Sequence, residues 1–110
     1  MNMYACRKLG GGYTIANSME FRGVSYLEKD TTSIRITKTM EEIFNSVGLG
    51  VKKEHMLGGS MWMYNKNIPA IKEKVEELKK TSKVTYAAAL LALTQFMTVC
   101  INKGYDIRFY

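Results

Sequence analysis

One histidine, one proline and two cysteines are all that this 110-residue chain has of those three residue types, and each scarcity closes off a class of protein. With His55 alone, no two-histidine metal site and no histidine pair can form. Its neighbour Glu54 would point to the opposite face of a strand, so the adjacent pair cannot act together. Cys6 and Cys100 sit near opposite ends of the chain, each inside an apolar run, and form no CxxC or Cys/His spacing. Two buried, reduced thiols are expected, and a disulfide only if the ends meet in space. That usage fits a reducing, cytoplasmic setting. Asn2, Tyr4, Arg7 and Lys8 come too early and too polar for a secretory leader, so export is not expected. Neither a metal nor a cofactor is expected.

Low complexity is lacking too. A single Pro, nine scattered Gly, 46% apolar residues and twelve aromatics exclude a disordered or collagen-like chain, because there is enough apolar surface to offset chain entropy. The length bounds one ordinary domain, residues 1–110.

Acidic residues are in deficit, and unevenly. The net charge is +6. Residues 1–50 hold six basic against five acidic side chains, while residues 51–110 hold ten against five, so the excess lies in the second half. Such a field attracts anions, which admits nucleic acid or an acidic protein as partner, and also serves solubility alone.

One long uncharged run exists. Residues 84–101 carry no charge between Lys83 and Lys103, a borderline length for a bilayer span. Thr85, Thr94, Gln95, Thr98 and four alanines dilute it, so a helix buried in protein is expected rather than a membrane span.

The first half reads as strands. Residues 3–9 and 13–17 flank Gly10-Gly11-Gly12, whose tolerance of positive φ suits a hairpin. Residues 21–28 form a third candidate, and residues 33–37 alternate as a half-buried fourth, completing a meander. Thr39 as N-cap with Glu42 three positions on makes a capping box. Met40, Ile43, Phe44 and Val47 share one face of the short helix that follows, and Gly48 with Leu49 gives a Schellman stop. Residues 51–57 and 60–66, joined by Gly58-Gly59, predict a second hairpin, with Trp62 and Tyr64 on one face and Met61 and Met63 on the other.

Two longer helices come next. Asn67 is a candidate cap, Pro69 suits the first turn, and Ile68, Ile71, Val75 and Leu78 recur at helical spacing opposite a charged face with an expected Glu76–Lys80 pair. In the apolar helix, Tyr86, Leu90, Leu93, Met97 and Ile101 form one stripe. Thr85, Ala88, Ala92, Gln95, Val99 and Asn102 form a small or polar one, suited to a neighbouring helix or to a homodimer through residues 84–102. Gly104 stops the helix. In residues 105–110, Tyr105, Ile107 and Phe109 alternate with Asp106, Arg108 and Tyr110, a closing strand. The expected fold is α+β: an antiparallel sheet made of the N-terminal meander, the Gly-Gly hairpin and the C-terminal strand, covered by two long C-terminal helices plus one short helix.

No catalytic constellation stands out, and the expectation is that the chain is not an enzyme. Arg7-Lys8-Leu9-Gly10-Gly11-Gly12-Tyr13 has the glycines of a phosphate-covering loop without GxGxxG spacing or a GK[ST] end, so it reads as a turn. The suggestive feature is aromatic and basic content together. Tyr4, Tyr13, Tyr26, Trp62, Tyr64 and Tyr110 fall on predicted strands that also carry Arg7, Lys8, Arg22, Arg35, Lys52, Lys53, Lys66 and Arg108. The candidate binding residues are Tyr4, Arg7, Lys8, Tyr13, Lys52, Lys53, Trp62, Tyr64, Lys66, Arg108 and Tyr110. Tyr, Trp, Met and Arg are enriched at protein interfaces, and eight methionines add to that. The expected function is a small binding protein that docks on a larger protein or nucleoprotein and modulates or inhibits it. Small size and a charged surface also suit a virus- or mobile-element-encoded inhibitor of a host factor. The alternative is a single-stranded nucleic-acid binder using the same face. A third is a minimal enzyme, such as a small ribonuclease, built on His55.

Overall fold

Side chains alternate between two faces along β1 (Asn2–Leu9), and the other strands assemble around it in a computed structural model that describes residues 1–28, 31–50, 61–81 and 83–110. Its C-terminal half pairs antiparallel with β2 (Gly12–Ile15), and its N-terminal half pairs with β3 (Ser33–Arg35). Both lie on one edge, since Ala5 accepts from Ala16 N at 3.0 Å and donates to Thr32 O at 3.0 Å. The opposite edge of β1 pairs with β5 (Asp106–Phe109), which in turn pairs with β4 (Met61–Met63). The sheet therefore runs β2-β1-β5-β4, with β3 beside β1.

The first hairpin forms as its glycines require. Leu9 pairs with Gly12 across the two-residue loop Gly10-Gly11. Gly10 has φ +59° and Gly11 does not enter the left-handed region, which is the φ pattern of a type II′ turn with glycine at its first central position.

Residues 21–28 are not a strand. Ser18–Phe21 is instead a 3-10 turn, capped by the Asn17 side chain, which accepts from Met19 N at 2.9 Å. The chain then passes through positive φ at Gly23 (+84°) and at Tyr26 (+63°), and only a single bridge, Leu27 to Ile34, remains. Left-handed residues interrupt a pleated ladder, so apolar content alone was misleading here. The predicted partner strand at residues 51–57, with the Gly58-Gly59 turn, lies outside the described residues.

Helix α1 (Lys38–Ser46) starts two residues earlier than the Thr39/Glu42 pattern suggests: Thr37 is the N-cap, its hydroxyl accepting from Met40 N at 3.2 Å. The stop is as expected, with Gly48 at φ +84° and Leu49 N donating to Phe44 O at 2.9 Å. A 3-10 turn (Asn65–Asn67) leads into α2 (Ile68–Leu78), where Pro69 occupies the first turn and Asn67 makes no side-chain cap bond. The ion pair on α2 is Lys72–Glu76 at 3.0 Å, one turn earlier than the expected Glu76–Lys80, because the helix ends at Leu78 before Lys80 can join it. Val84–Tyr86 is another short 3-10 turn, and α3 (Ala87–Lys103) ends on Gly104 at φ +74°.

The helices pack on one face of the sheet. Leu90, Leu93, Phe96, Met97 and Cys100 of α3 join Met3, Ala5, Ile34, Met63, Ile107 and Phe109 of the strands in a contiguous buried cluster that also takes in Ile68, Val75, Ile43 and Phe44. All four phenylalanines are at most 1% exposed, and burying each contributes about 1.5–3 kcal/mol. Phe44 of α1 meets Phe109 edge-on, with centroids 5.6 Å apart, and Phe21 packs on Phe96 at 5.1 Å. The segment Val84–Lys103 is long and apolar enough to cross a membrane by length and composition. In this fold the helix is the centre of the core; of its expected stripe, Leu90, Leu93 and Met97 are buried, while Tyr86 and Ile101 are partly buried at its ends.

Candidate nucleic-acid or protein interface

The sheet face turned away from the helices carries the side chains that the core-facing alternation leaves over. On β1 these are Tyr4, Cys6 and Lys8. Tyr13 and Ile15 come from β2, Trp62 from β4, and Asp106 and Arg108 from β5, with Tyr64 and Tyr110 immediately beyond the ends of their strands. Seven of the candidate binding residues thus share one surface: Tyr4, Lys8, Tyr13, Trp62, Tyr64, Arg108 and Tyr110.

Aromatic rings and one guanidinium dominate its geometry. Tyr13 and Trp62 approach to 4.5 Å between centroids, and Trp62 and Tyr64 are nearly parallel, 8° apart at 6.4 Å. The Arg108 guanidinium lies 4.7 Å from the Tyr110 ring centroid and 5.7 Å from that of Trp62, within the range in which a cation is held by ring quadrupoles. Tyr13, Tyr64 and Tyr110 remain 43%, 47% and 64% exposed.

Polar contacts hold the patch in place. Asp106 accepts from the Asn65 backbone N–H at 2.7 Å and lies near enough to the Tyr13 phenol to act on it electrostatically. Partial burial and that carboxylate together push the Tyr13 phenol up from its usual range. Asn65 also donates through Nδ2 to Cys100 O at 2.8 Å and Tyr105 O at 2.9 Å. One side chain thereby ties the end of β4 to the C-terminus of α3 and the start of β5. Cys6 is 5% exposed although it lies on this outer face. Burial raises its thiol pKa, with Arg108 opposing and Asp106 reinforcing the shift.

The remaining candidates lie elsewhere. Arg7 falls on the opposite face of β1 by alternation and acts electrostatically on Tyr105, whose hydroxyl donates to Glu20 Oε2 at 2.6 Å. Lys66 is exposed, in the 3-10 turn rather than on a strand. Arg22 and Tyr26, expected on a third strand, lie in the loop that replaces it. Lys52, Lys53 and His55 lie outside the described residues. Sequence reasoning placed Asp106 on the Arg108–Tyr110 face but missed it, with Asn65 and Cys6, as part of this site. Their roles depend on register between distant strands, and no local pattern marks them.

Clefts lined by described residues lie elsewhere. One, of about 290 Å³, is lined by Arg22, Val24, Glu76, Gln95 and Thr98 among others, and another of about 500 Å³ by Ser46, Val47, Lys74 and Leu78 among others. Among the described residues, no group of three His, Cys, Asp or Glu side chains could hold a metal ion. No family model, curated protein or solved structure matches the chain.

Proposed function

We propose that this chain is a non-enzymatic binding protein that docks through the outer face of its sheet on a larger protein or nucleoprotein and modulates or blocks it. One observation carries the reading: Tyr13, Trp62, Tyr64, Tyr110 and Arg108 form a continuous, part-exposed patch on the side away from the core. A fold of this size could have hidden some of those rings, as it hides every phenylalanine. Tyr, Trp and Arg are the residues that dominate interface energetics, because they contribute large rigid contact areas at small entropic cost. An inhibitor of a host factor is the role that best suits a small chain with such a face. A cytoplasmic home accords with two buried, free cysteines.

Affinity capture with the wild-type chain and with a Trp62→Ala, Tyr110→Ala double variant tests the proposal. A stoichiometric partner retained by the first and lost by the second is expected. Capture of the same proteins by both would refute it.

The cations on the same face, Lys8 and Arg108, give a second reading: single-stranded nucleic acid stacked on Trp62 and Tyr64. Retardation of a labelled oligonucleotide that weakens steeply with salt would favour this over a protein partner. Homodimerisation, the other partner reading, would use Val84, Ala88 and Leu91 at the exposed start of the apolar helix. Sedimentation across a concentration series measures it.

A further inference from the structure

We propose that the outer edge of β2 takes up an extended, acidic segment of the partner protein as an added strand. This rests on the docking reading above and specifies its mode and chemistry. On β1 the odd-numbered residues bond towards β2 and β3: Ala16 N donates to Ala5 O at 3.0 Å, Ala5 N to Thr32 O at 3.0 Å, and Ile36 N to Met1 O at 2.9 Å. The even-numbered residues bond towards β5, as Asn2 and Tyr110 do by exchanging bonds of 2.8 and 2.9 Å. Bonded and non-bonded pairs alternate in an antiparallel ladder. Arg7–Thr14 and Leu9–Gly12 are therefore the bonded pairs of the hairpin, and Lys8–Tyr13 and Cys6–Ile15 are not.

It follows that the N–H and C=O groups of Tyr13 and Ile15 point away from β1. Among the described residues no strand pairs with that edge. Folded proteins usually blunt such an edge with charge or proline, yet Gly12–Ile15 carries neither. Four outward groups at two-residue spacing form the ladder that an added strand needs, and the exposed Tyr13 and Ile15 side chains, at 43% and 51%, offer contact to its alternate residues.

Charge selects the occupant. Arg7 and Lys8 lie on β1 opposite Thr14 and Tyr13, one strand in from the free edge and one on each face, and residues 1–19 contain no carboxylate side chain. Asp106 accepts from Asn65 N and Glu20 from the Tyr105 hydroxyl, so both carboxylates are held in place by the fold. A second copy pairing edge to edge would place two such basic hairpins, neither with a carboxylate of its own, side by side. An acidic segment meets them favourably.

The test uses amide hydrogen exchange of the full chain with a capped peptide alternating valine and glutamate. Saturating peptide should slow exchange at Tyr13 and Ile15 about tenfold or more, in proportion to occupancy. A valine–lysine peptide should leave both amides unchanged, as should a valine–glutamate peptide N-methylated on its strand-facing amides, a control that leaves the protein itself unaltered. Ile15→Pro removes one outward N–H without touching the ladder to β1 and should abolish the effect. Equal slowing by the lysine peptide or by an oligonucleotide, or no slowing at saturation, would overturn the proposal. A peptide that shifts Trp62 fluorescence while Tyr13 and Ile15 stay unprotected would overturn the edge pairing and leave the docking face standing.

Discussion

Tyr13 and Trp62 belong to strands at opposite ends of the β2-β1-β5-β4 path, yet their ring centroids are 4.5 Å apart. Flat strands about 4.8 Å from one another would hold them roughly three spacings apart. Sheet twist and the reach of the two long side chains across the outer face together bring the rim aromatics over the middle strands. Cys6, on that face between Ile15 and Asp106, is buried by these rings rather than by the helices.

Truncating either ring should uncover the thiol. Tyr13→Ala is expected to raise the rate of Cys6 modification by a thiol reagent about tenfold, while Cys100, fully buried in the helical core, stays unreactive. Mass spectrometry of the labelled peptides separates the two sites. Unchanged Cys6 reactivity would show that Tyr13 does not cover it.

The cap of α1 gives a comparison within one turn. Thr37→Ala removes the acceptor for Met40 N and should cost about 1 kcal/mol of stability, whereas Thr39→Ala, which replaces no cap bond, should cost well under half of that. Urea unfolding of the two variants decides it. A larger loss at Thr39 would return the cap to the position that its spacing from Glu42 suggests.

Adjacent glycines in the first hairpin should behave differently. An added Cβ meets nothing within 4 Å at Gly10 or Gly11, so sterics with neighbours do not distinguish them. Only Gly10 has positive φ, at +59°. Gly10→Ala should therefore destabilise by about 1 kcal/mol and Gly11→Ala should be neutral or slightly stabilising, measured as shifts in thermal midpoint.

Alkaline pH should act through Tyr105. Burial, and then the hydrogen bond to Glu20, push its phenol up to about 12. A raised folded-state value means that the contribution is complete below the unfolded value of about 10 and is lost as pH rises towards 12. Tyr105→Phe should reduce the fall in stability over that window by on the order of 1 kcal/mol. Parallel loss in variant and wild type would assign the alkaline transition to other groups.

How much of this was legible from the sequence depended on the range of the interactions. Gly48 with Leu49, and Gly104 after Lys103, announced helix ends because a left-handed stop is a property of two or three residues. The alternation of Tyr105, Ile107 and Phe109 with Asp106, Arg108 and Tyr110 fixed which side of β5 is buried, since the period of a strand is local. Residues 21–28 misled because their apolar content suits a strand equally well. Positive φ at Gly23 and Tyr26, and the Ser25 N–H bonded to Gln95 Oε1 at 3.2 Å, decide otherwise. Asn65 likewise looks like any loop asparagine until α3 and β5 place two carbonyls beside its amide.

By itself, then, the order of residues determined the α+β class, the helix stops and the two-faced strands, because hydrophobic period and glycine chemistry act over a few neighbours. It also made an aromatic and basic surface available. Only the tertiary structure decided that Tyr13 reaches Trp62, that Arg108 lies beside Trp62 and Tyr110, that Cys6 is covered, and that the bonding groups of β2 turn outward. Those outcomes depend on strand order, register and twist, which are set when segments more than a hundred residues apart bury one common core.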